Sequence, residues 1–215
     1  MSRTLITIAA VMVLGLPCAT RANVGPELAA IQQEWAQANY QLTDRKAALE
    51  AFASLAARAH SLAAANPERA EPLIWEGIVL STWAGRKGGL GALRLAKKAR
   101  ERLEAAESRD AGALDGSVYT SLGALYYKVP GWPVGFGDDE KAQTYLLKAL
   151  ELNPDGIDPN WFYGDFLAEQ GRAAEAREFL ERALAAPDRP GRSIADDGRR
   201  AEIRARLEEL ATRAR

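Results

Sequence analysis

An internal repeat with a period of about 34 residues constrains the fold of this chain more than any other feature of its sequence. Two segments, KAQTYLLKALELNP and EAREFLERALAAPD, carry the same apolar positions at this period. Within each segment these positions follow the spacing i, i+3, i+4, i+7 and i+8, which places them on one face of a helix. The matched pairs are Ala142 and Ala176, Tyr145 and Phe179, Leu146 and Leu180, Ala149 and Ala183, and Leu150 and Leu184. A unit repeated at this period buries its apolar face against its neighbours, which predicts a helical solenoid.

A second shared pattern precedes each of these two helices. The spacing Y-x2-L-G-x2-Y is formed by Tyr119, Leu122, Gly123 and Tyr126, and the next unit places Asn160, Tyr163, Gly164 and Leu167 at the same positions. Glycine at the fixed position lets two helix backbones approach closely. The N-terminal half matches more loosely, with Asn66-Pro67 in the place of Asn153-Pro154 and Gly77 in the place of the packing glycine.

Composition and periodicity together indicate an all-α chain. Alanine, the best helix former, fills about a fifth of the sequence, and no segment shows a sustained period of two. We expect N-caps at Thr43 or Asp44, Asp115, Asp138 or Asp139, and Asp196 or Asp197. The last helix is expected to be a solvent-facing cap. The nine predicted helices span 26–41, 44–65, 69–86, 90–107, 112–128, 139–152, 158–170, 172–186 and 196–213.

The N-terminal segment, 1–22, is typical of a signal peptide. Arg3 precedes an apolar run from Leu5 to Leu16, and Thr20-Arg21-Ala22 offers small residues before a cleavage point. We therefore expect cleavage after Ala22, a periplasmic location, and a solenoid domain over residues 23–215. Lipidation of Cys18 and a retained membrane anchor are the alternatives. Pro17 stands where a lipoprotein signal has a small residue, and the apolar run is short for a bilayer span.

Charge and residue counts argue against several classes of function. The formal net charge is −1, so the chain has no basic field for nucleic acid. It has one Cys and one His, His60, which disfavours zinc sites and Cys/His catalysis. The acidic cluster of Asp155, Asp158 and Asp165 does not match the spacing of a calcium loop. We expect no catalysis, no cofactor and no metal.

An insertion interrupts the repeat between Tyr127 and Glu140. The interval from Gly123 to Gly164 exceeds the interval from Ala142 to Ala176 by seven positions, and the extra chain KVPGWPVGFGDD carries two large aromatic residues. Two interpretations stay open: the rings pin the loop to the solenoid, or the loop forms a lip over the concave groove and touches a ligand. The residues expected to bind a ligand or partner are Tyr119, Tyr126, Trp132, Phe136, Trp161 and Tyr163.

Four arginines lie in the segment PDRPGRSIADDGRR, over residues 187–200. They are Arg189, Arg192, Arg199 and Arg200. Arginine binds carboxylates through two parallel hydrogen bonds, so one interpretation is an anion or carboxylate clamp. The other is a solvated loop that leads into the last helix.

The 34-residue period and the Y-x2-L-G-x2-Y spacing resemble the tetratricopeptide repeat, a helix–turn–helix unit of about 34 residues. The resemblance implies a solenoid of about four helix pairs with a C-terminal capping helix, which acts as a non-catalytic interaction protein. The segment YYKVPGWPVGFGDDEKAQTYLLKALELNPDGIDPNWFYGDFLAEQG also resembles the periplasmic T component of TRAP transporters, over roughly residues 116–205. That second resemblance implies a protein partner such as a periplasmic substrate-binding protein. The alternative function is a carrier of a small molecule or organic acid in such a pathway.

Overall fold

The computed structural model describes residues 24–213, and over this range the chain forms nine α-helices and no strand. The predicted all-α solenoid of helical hairpins is confirmed. The expected signal peptide and Cys18 lie outside the described residues. The helices are α1 (Val24–Tyr40), α2 (Arg45–Ala65), α3 (Ala70–Lys87), α4 (Gly89–Glu107), α5 (Ala113–Lys128), α6 (Asp139–Leu152), α7 (Ile157–Glu169), α8 (Ala173–Ala185) and α9 (Ser193–Arg213).

A glycine in the first helix of a hairpin faces a leucine in the second. A Cβ atom on Gly123 would lie 2.6 Å from Leu146 Cγ, closer than packed carbon atoms can approach. The same arrangement pairs Gly77 with Leu103 at 2.6 Å and Gly164 with Leu180 at 3.0 Å. An alanine one helical turn before each leucine is also fully buried: Ala99, Ala142 and Ala176. The repeat therefore includes the α3–α4 hairpin, where the sequence match was loose.

The odd-numbered helices form an inner layer, and α2, α4, α6 and α8 lie outside it. Each odd helix contacts the next one, from α1 through α3, α5 and α7 to α9. Helix α9 also contacts α1, so the inner layer closes into a ring. At this junction the ring of Tyr40 packs directly on Gly198, leaving no room for a Cβ atom there.

Two details of the helix ends differ from the sequence prediction. Helix α9 begins at Ser193 instead of 196, because the Asp196 side chain does not cap the helix but accepts hydrogen bonds from the backbone and side chain of Arg189. Asp115 does not act as an N-cap either: it lies in the left-handed region at φ 55°, next to Leu114 at φ 52°. Asp44 and Asp138 are N-caps as predicted.

The last helix is more than a solvent-facing cap. It contacts α1, α7 and α8, and it buries Ile203 and Leu210 completely or almost so. The charged residues predicted to face water partly do so, but the helix supplies a wall of the ring. Between residues 24 and 213, no helix has both the length and the apolar character needed to cross a membrane.

The glycine contact predicts opposite effects for two Gly→Ala substitutions. Gly123→Ala forces a methyl group against Leu146, and we expect it to destabilise the fold by about 1–2 kcal/mol despite the better helix propensity of alanine. Gly85→Ala is the matched control, since no atom lies within 4 Å of its added Cβ, and it should stabilise the fold by about 0.5–1 kcal/mol. Urea denaturation measures both; equal effects would contradict the assigned contact.

Candidate functional site

The inner helices line a cavity of about 650 Å³ that is partly open to solvent. This volume falls within the range of about 300–1,000 Å³ that is typical of small-molecule sites. Its wall includes three aromatic side chains, Trp35, Trp75 and Phe162, together with aliphatic residues such as Ile78 and Leu125. Arginine and aspartate side chains from α7, α9 and the loop before α9 form another part of the wall. The site is therefore apolar over much of its surface and charged at one end.

Helical periodicity explains which side chains reach the cavity. On α5, the lining positions include Ser117, Ser121 and Ala124, which recur at intervals of three and four residues. They lie on the opposite side of the helix from the surface that Gly123 turns toward α6. On α3, Thr82 accepts a hydrogen bond from Trp35 Nε1 at 3.0 Å and so fixes the indole of α1 in the wall.

The charged end of the cavity is built around the Asp158 carboxylate. Arg189 Nη1 donates to it at 2.7 Å and Arg199 Nε at 2.9 Å. Burial alone would raise the pKa of Asp158, but Arg199 and Arg189 outweigh that effect and hold the pKa well below its usual range. Arg189 also pairs with Asp196 at 2.5 Å. These ion pairs tie the start of α7 to α9 and to the loop before it.

A second buried network joins the inner helices α5, α7 and α9. The Asp165 carboxylate of α7 accepts a hydrogen bond from Tyr127 Oη at 2.9 Å and pairs with Lys128 at 2.7 Å and Arg206 at 3.0 Å. Burial raises the pKa of Tyr127, and the neighbouring Asp165 raises it further, so this phenol stays protonated. Lys128, which lines the cavity, is therefore already engaged by protein carboxylates.

The arginine segment contains three paired side chains and one unpaired side chain. Arg189 and Arg199 share Asp158, and Arg200 pairs with Asp188 at 2.7 Å. Among residues 24–213, no carboxylate lies within ion-pair distance of Arg192. Instead, its guanidinium lies over the ring of Trp75, with 4.9 Å between Cζ and the ring centroid.

The six residues predicted to bind a ligand or partner lie elsewhere. Tyr119 and Tyr126 pack against Tyr145 of α6, with ring centroids 6.0 Å and 5.7 Å apart. Trp161 and Tyr163 are buried, and Tyr163 contacts Phe179 of α8 edge-on at 4.7 Å. These four aromatic residues fill the space between helices, and none of them lines the cavity.

The insertion before α6 lies on the outside of the ring. Phe136 packs against Tyr126 at 5.7 Å and under the Arg100 guanidinium of α4 at 4.4 Å, which pins the loop. Trp132 is 89% exposed, and no residue from 129 to 138 lines the cavity. The loop is thus not a lip of this cavity. A role for Trp132 in contacting a partner elsewhere stays a prediction.

The residues that do form the cavity were not indicated by the sequence patterns. Trp35, Trp75 and Phe162 were not among the expected site residues, and Arg192 was considered only as one of four loop arginines. The available signal was the small and hydroxyl-bearing stripe on α5, because small residues at helical spacing leave space beside them. That stripe does not identify which distant helices share the space.

Part of the hairpin array is similar to a known repeat family. A family model described as the tetratricopeptide repeat matches residues 135–190. The matched segment runs from the end of the insertion through α6, α7 and α8, which supports a tetratricopeptide-repeat protein and a role in protein–protein interaction. Curated proteins yield no match to the chain. The resemblance to the TRAP T component gains no support from these findings.

Within the described part of the chain, no three His, Cys, Asp or Glu side chains gather into a potential metal site. The acidic residues near the cavity make other contacts. Asp158 is engaged by two arginines, Asp165 by Tyr127, Lys128 and Arg206, and Asp155 is exposed to solvent.

The Asp158 ion pairs predict a stability loss with a defined pH dependence. Asp158→Asn leaves Arg189 and Arg199 without this carboxylate, and we expect a loss of about 2–3 kcal/mol, below the value for a fully buried pair because Asp158 is partly exposed. Since the folded-state pKa is lowered, the contribution exists above about pH 4 and is lost as the pH falls further.

Urea denaturation between pH 7 and pH 3 measures this effect. The difference between wild type and Asp158→Asn should shrink as the solution is acidified below about pH 4. Asp188→Asn is the control, because its carboxylate is 85% exposed and its pair with Arg200 should contribute less than about 1 kcal/mol. A pH-independent loss for Asp158→Asn would rule out the charge of the carboxylate as its cause.

Proposed function

We propose that the chain is an exported, non-catalytic tetratricopeptide-repeat protein that binds a protein partner through its concave face. The observation that supports this most directly is the cavity inside the ring of odd-numbered helices. Solenoids use their concave surfaces for binding, and aromatic residues in a pocket are the usual anchors for a partner. Trp35, Trp75 and Phe162 supply such a pocket on rigid helices.

The chemistry of the charged end supports a binding role over a catalytic one. A general base working near neutral pH needs a pKa close to 7. The pKa of Asp158 is instead held far below this value by Arg199 and Arg189. Asp165 accepts a hydrogen bond from Tyr127 and forms ion pairs with Lys128 and Arg206. His60 pairs with Glu76 at 3.0 Å and does not line the cavity.

A second candidate function is a carrier of a small molecule. It is favoured by the volume of about 650 Å³ and by the contact of α9 with α1, which adds a wall to the site. The two functions differ in what fills the cavity: a side chain or chain end of a partner protein, or a free compound.

Export is the part of the proposal that rests on sequence alone. Cleavage after Ala22 should yield a mature chain that begins at Asn23 and has no cysteine, since Cys18 is the only one. We expect the intact mass of the protein, purified from the periplasm of a bacterium expressing the full sequence, to equal that of residues 23–215. A chain that begins with a lipid-modified Cys18 would refute cleavage at Ala22.

Partner binding through the cavity predicts that filling it prevents capture. Ser121→Trp places an indole in the wall of the cavity, and we expect loss of partner proteins from a pull-down out of periplasmic extract, measured by quantitative mass spectrometry. Trp132→Ala is the control with an equally large change of aromatic surface outside the ring. Both variants must keep a wild-type melting temperature to within a few degrees.

If the partner binds the insertion instead, the result is reversed. Trp132→Ala would then weaken capture by roughly thirtyfold, since an exposed aromatic anchor contributes about 2 kcal/mol to binding. Ser121→Trp would leave capture unchanged, and the concave face would be excluded as the binding surface.

A further inference from the structure

The corner of the cavity formed by Arg192 and Trp75 lacks hydrogen-bond acceptors. Both Arg192 Nε and Trp75 Nε1 are closed off from solvent and have no partner within the described chain. Buried donors in native proteins are nearly always paired, because an unpaired one costs free energy of desolvation. Both residues line the cavity, so the two unpaired nitrogens lie just behind its wall, with no acceptor from the described chain beside them.

The positive charge of Arg192 is also unmatched. Neither an ion pair nor a side-chain hydrogen bond joins it to the rest of residues 24–213, whereas Arg189 and Arg199 are both held by Asp158. Burial lowers the pKa of Arg192 and the nearby Arg189 lowers it further. Arginine nevertheless remains charged in proteins. Because Nε is closed off, the two outer nitrogens of the guanidinium are the donors available to a ligand.

The other charges in the wall do not compensate for Arg192. Lys128 is engaged by Asp165 and Glu169, and so it offers no second free cation. Asp115 and Asp155 line the cavity but are exposed to water, which screens their charge. Within the described residues, the cavity thus contains one unpaired cation, which matches a ligand with a single negative charge better than a dianion.

The side chains around Arg192 indicate that the rest of the ligand is apolar. The ring of Trp75 lies under the guanidinium and contacts Trp35 edge-on at 5.8 Å, which continues the aromatic wall away from the charge. Ile78 and Phe162 extend the apolar surface. A guanidinium fork pairs with the two oxygens of a carboxylate, and an apolar body then packs on the rings.

We propose that this cavity binds a monocarboxylate with an apolar body, and that Arg192 receives the carboxylate. The proposal rests on the proposed function in one respect, that the concave face is the binding surface. Two sources carry this chemistry: a free organic acid, or the C-terminal carboxylate of a partner chain that ends in an apolar residue. Both place the same group against the same arginine.

Matched pairs of probes test the charge requirement by isothermal titration calorimetry on residues 23–215. Octanoate is compared with octanamide, and a short peptide that ends in leucine with a free carboxylate is compared with its C-terminal amide. We expect one of the two acids to bind at least about tenfold more tightly than its uncharged analogue, since a hydrogen bond to a charged group has about this effect. The acid that binds identifies the source.

Substitutions assign the effect to Arg192. Arg192→Gln should abolish the preference for the charged probe, and Arg192→Lys should restore part of it, because it returns the charge without the fork. Arg204→Gln is the control: it removes one charge from an exposed position of α9 outside the cavity and should keep the wild-type preference. Melting curves establish that each variant is folded.

The proposal is overturned if neither acid is preferred over its uncharged analogue, or if Arg192→Gln retains the preference. This failure is distinct from failure of the proposed function. Loss of partner capture in Ser121→Trp with no carboxylate preference would keep the partner-binding function and remove the role of Arg192. Tight octanoate binding with unchanged capture in Ser121→Trp would keep the carboxylate site and remove the protein partner from the cavity.

Discussion

Close approach of two helices at a glycine determines the geometry of each repeat. Because Gly77, Gly123 and Gly164 each face a leucine of the following helix, the two helices of a hairpin pack with no room for a further methyl group at that point. This contact fixes the rotation of α3, α5 and α7 about their axes. The opposite side of the helix must then face the interior of the ring, and that side supplies Ser121 and its neighbours to the cavity.

Features encoded locally could be predicted from the sequence. The helices follow from periodicity and from caps such as Asp44 and Asp138, and the structure places their ends within three residues of the predicted positions. The start of α9 was wrong because Asp196 is used by Arg189, a contact that depends on how the loop folds back. A side chain that suits an N-cap also suits an ion pair, and only the tertiary structure decides between them.

The residues that line the cavity could be predicted less well than the helices, for two physical reasons. Aromatic residues at repeat positions, such as Tyr126 and Tyr163, were expected to bind a ligand, but the space between helices requires large side chains there. The residues that do meet in the cavity are far apart in sequence. Trp75 lies on α3 and Arg192 in the loop before α9, and no pattern of apolar or polar residues along the chain specifies that these segments meet.

The contact between α1 and α9 changes how the chain is expected to unfold. In an open solenoid each repeat interacts with its neighbours alone, so the two ends fray independently of one another. Here α1 and α9 support each other through Tyr40 and Gly198, so each has a neighbour that it would lack in an open solenoid. Loss of either terminal helix removes a neighbour from the other and opens the cavity wall. Unfolding of α1 and of α9 is therefore coupled, and the cavity keeps its wall only while both helices are folded.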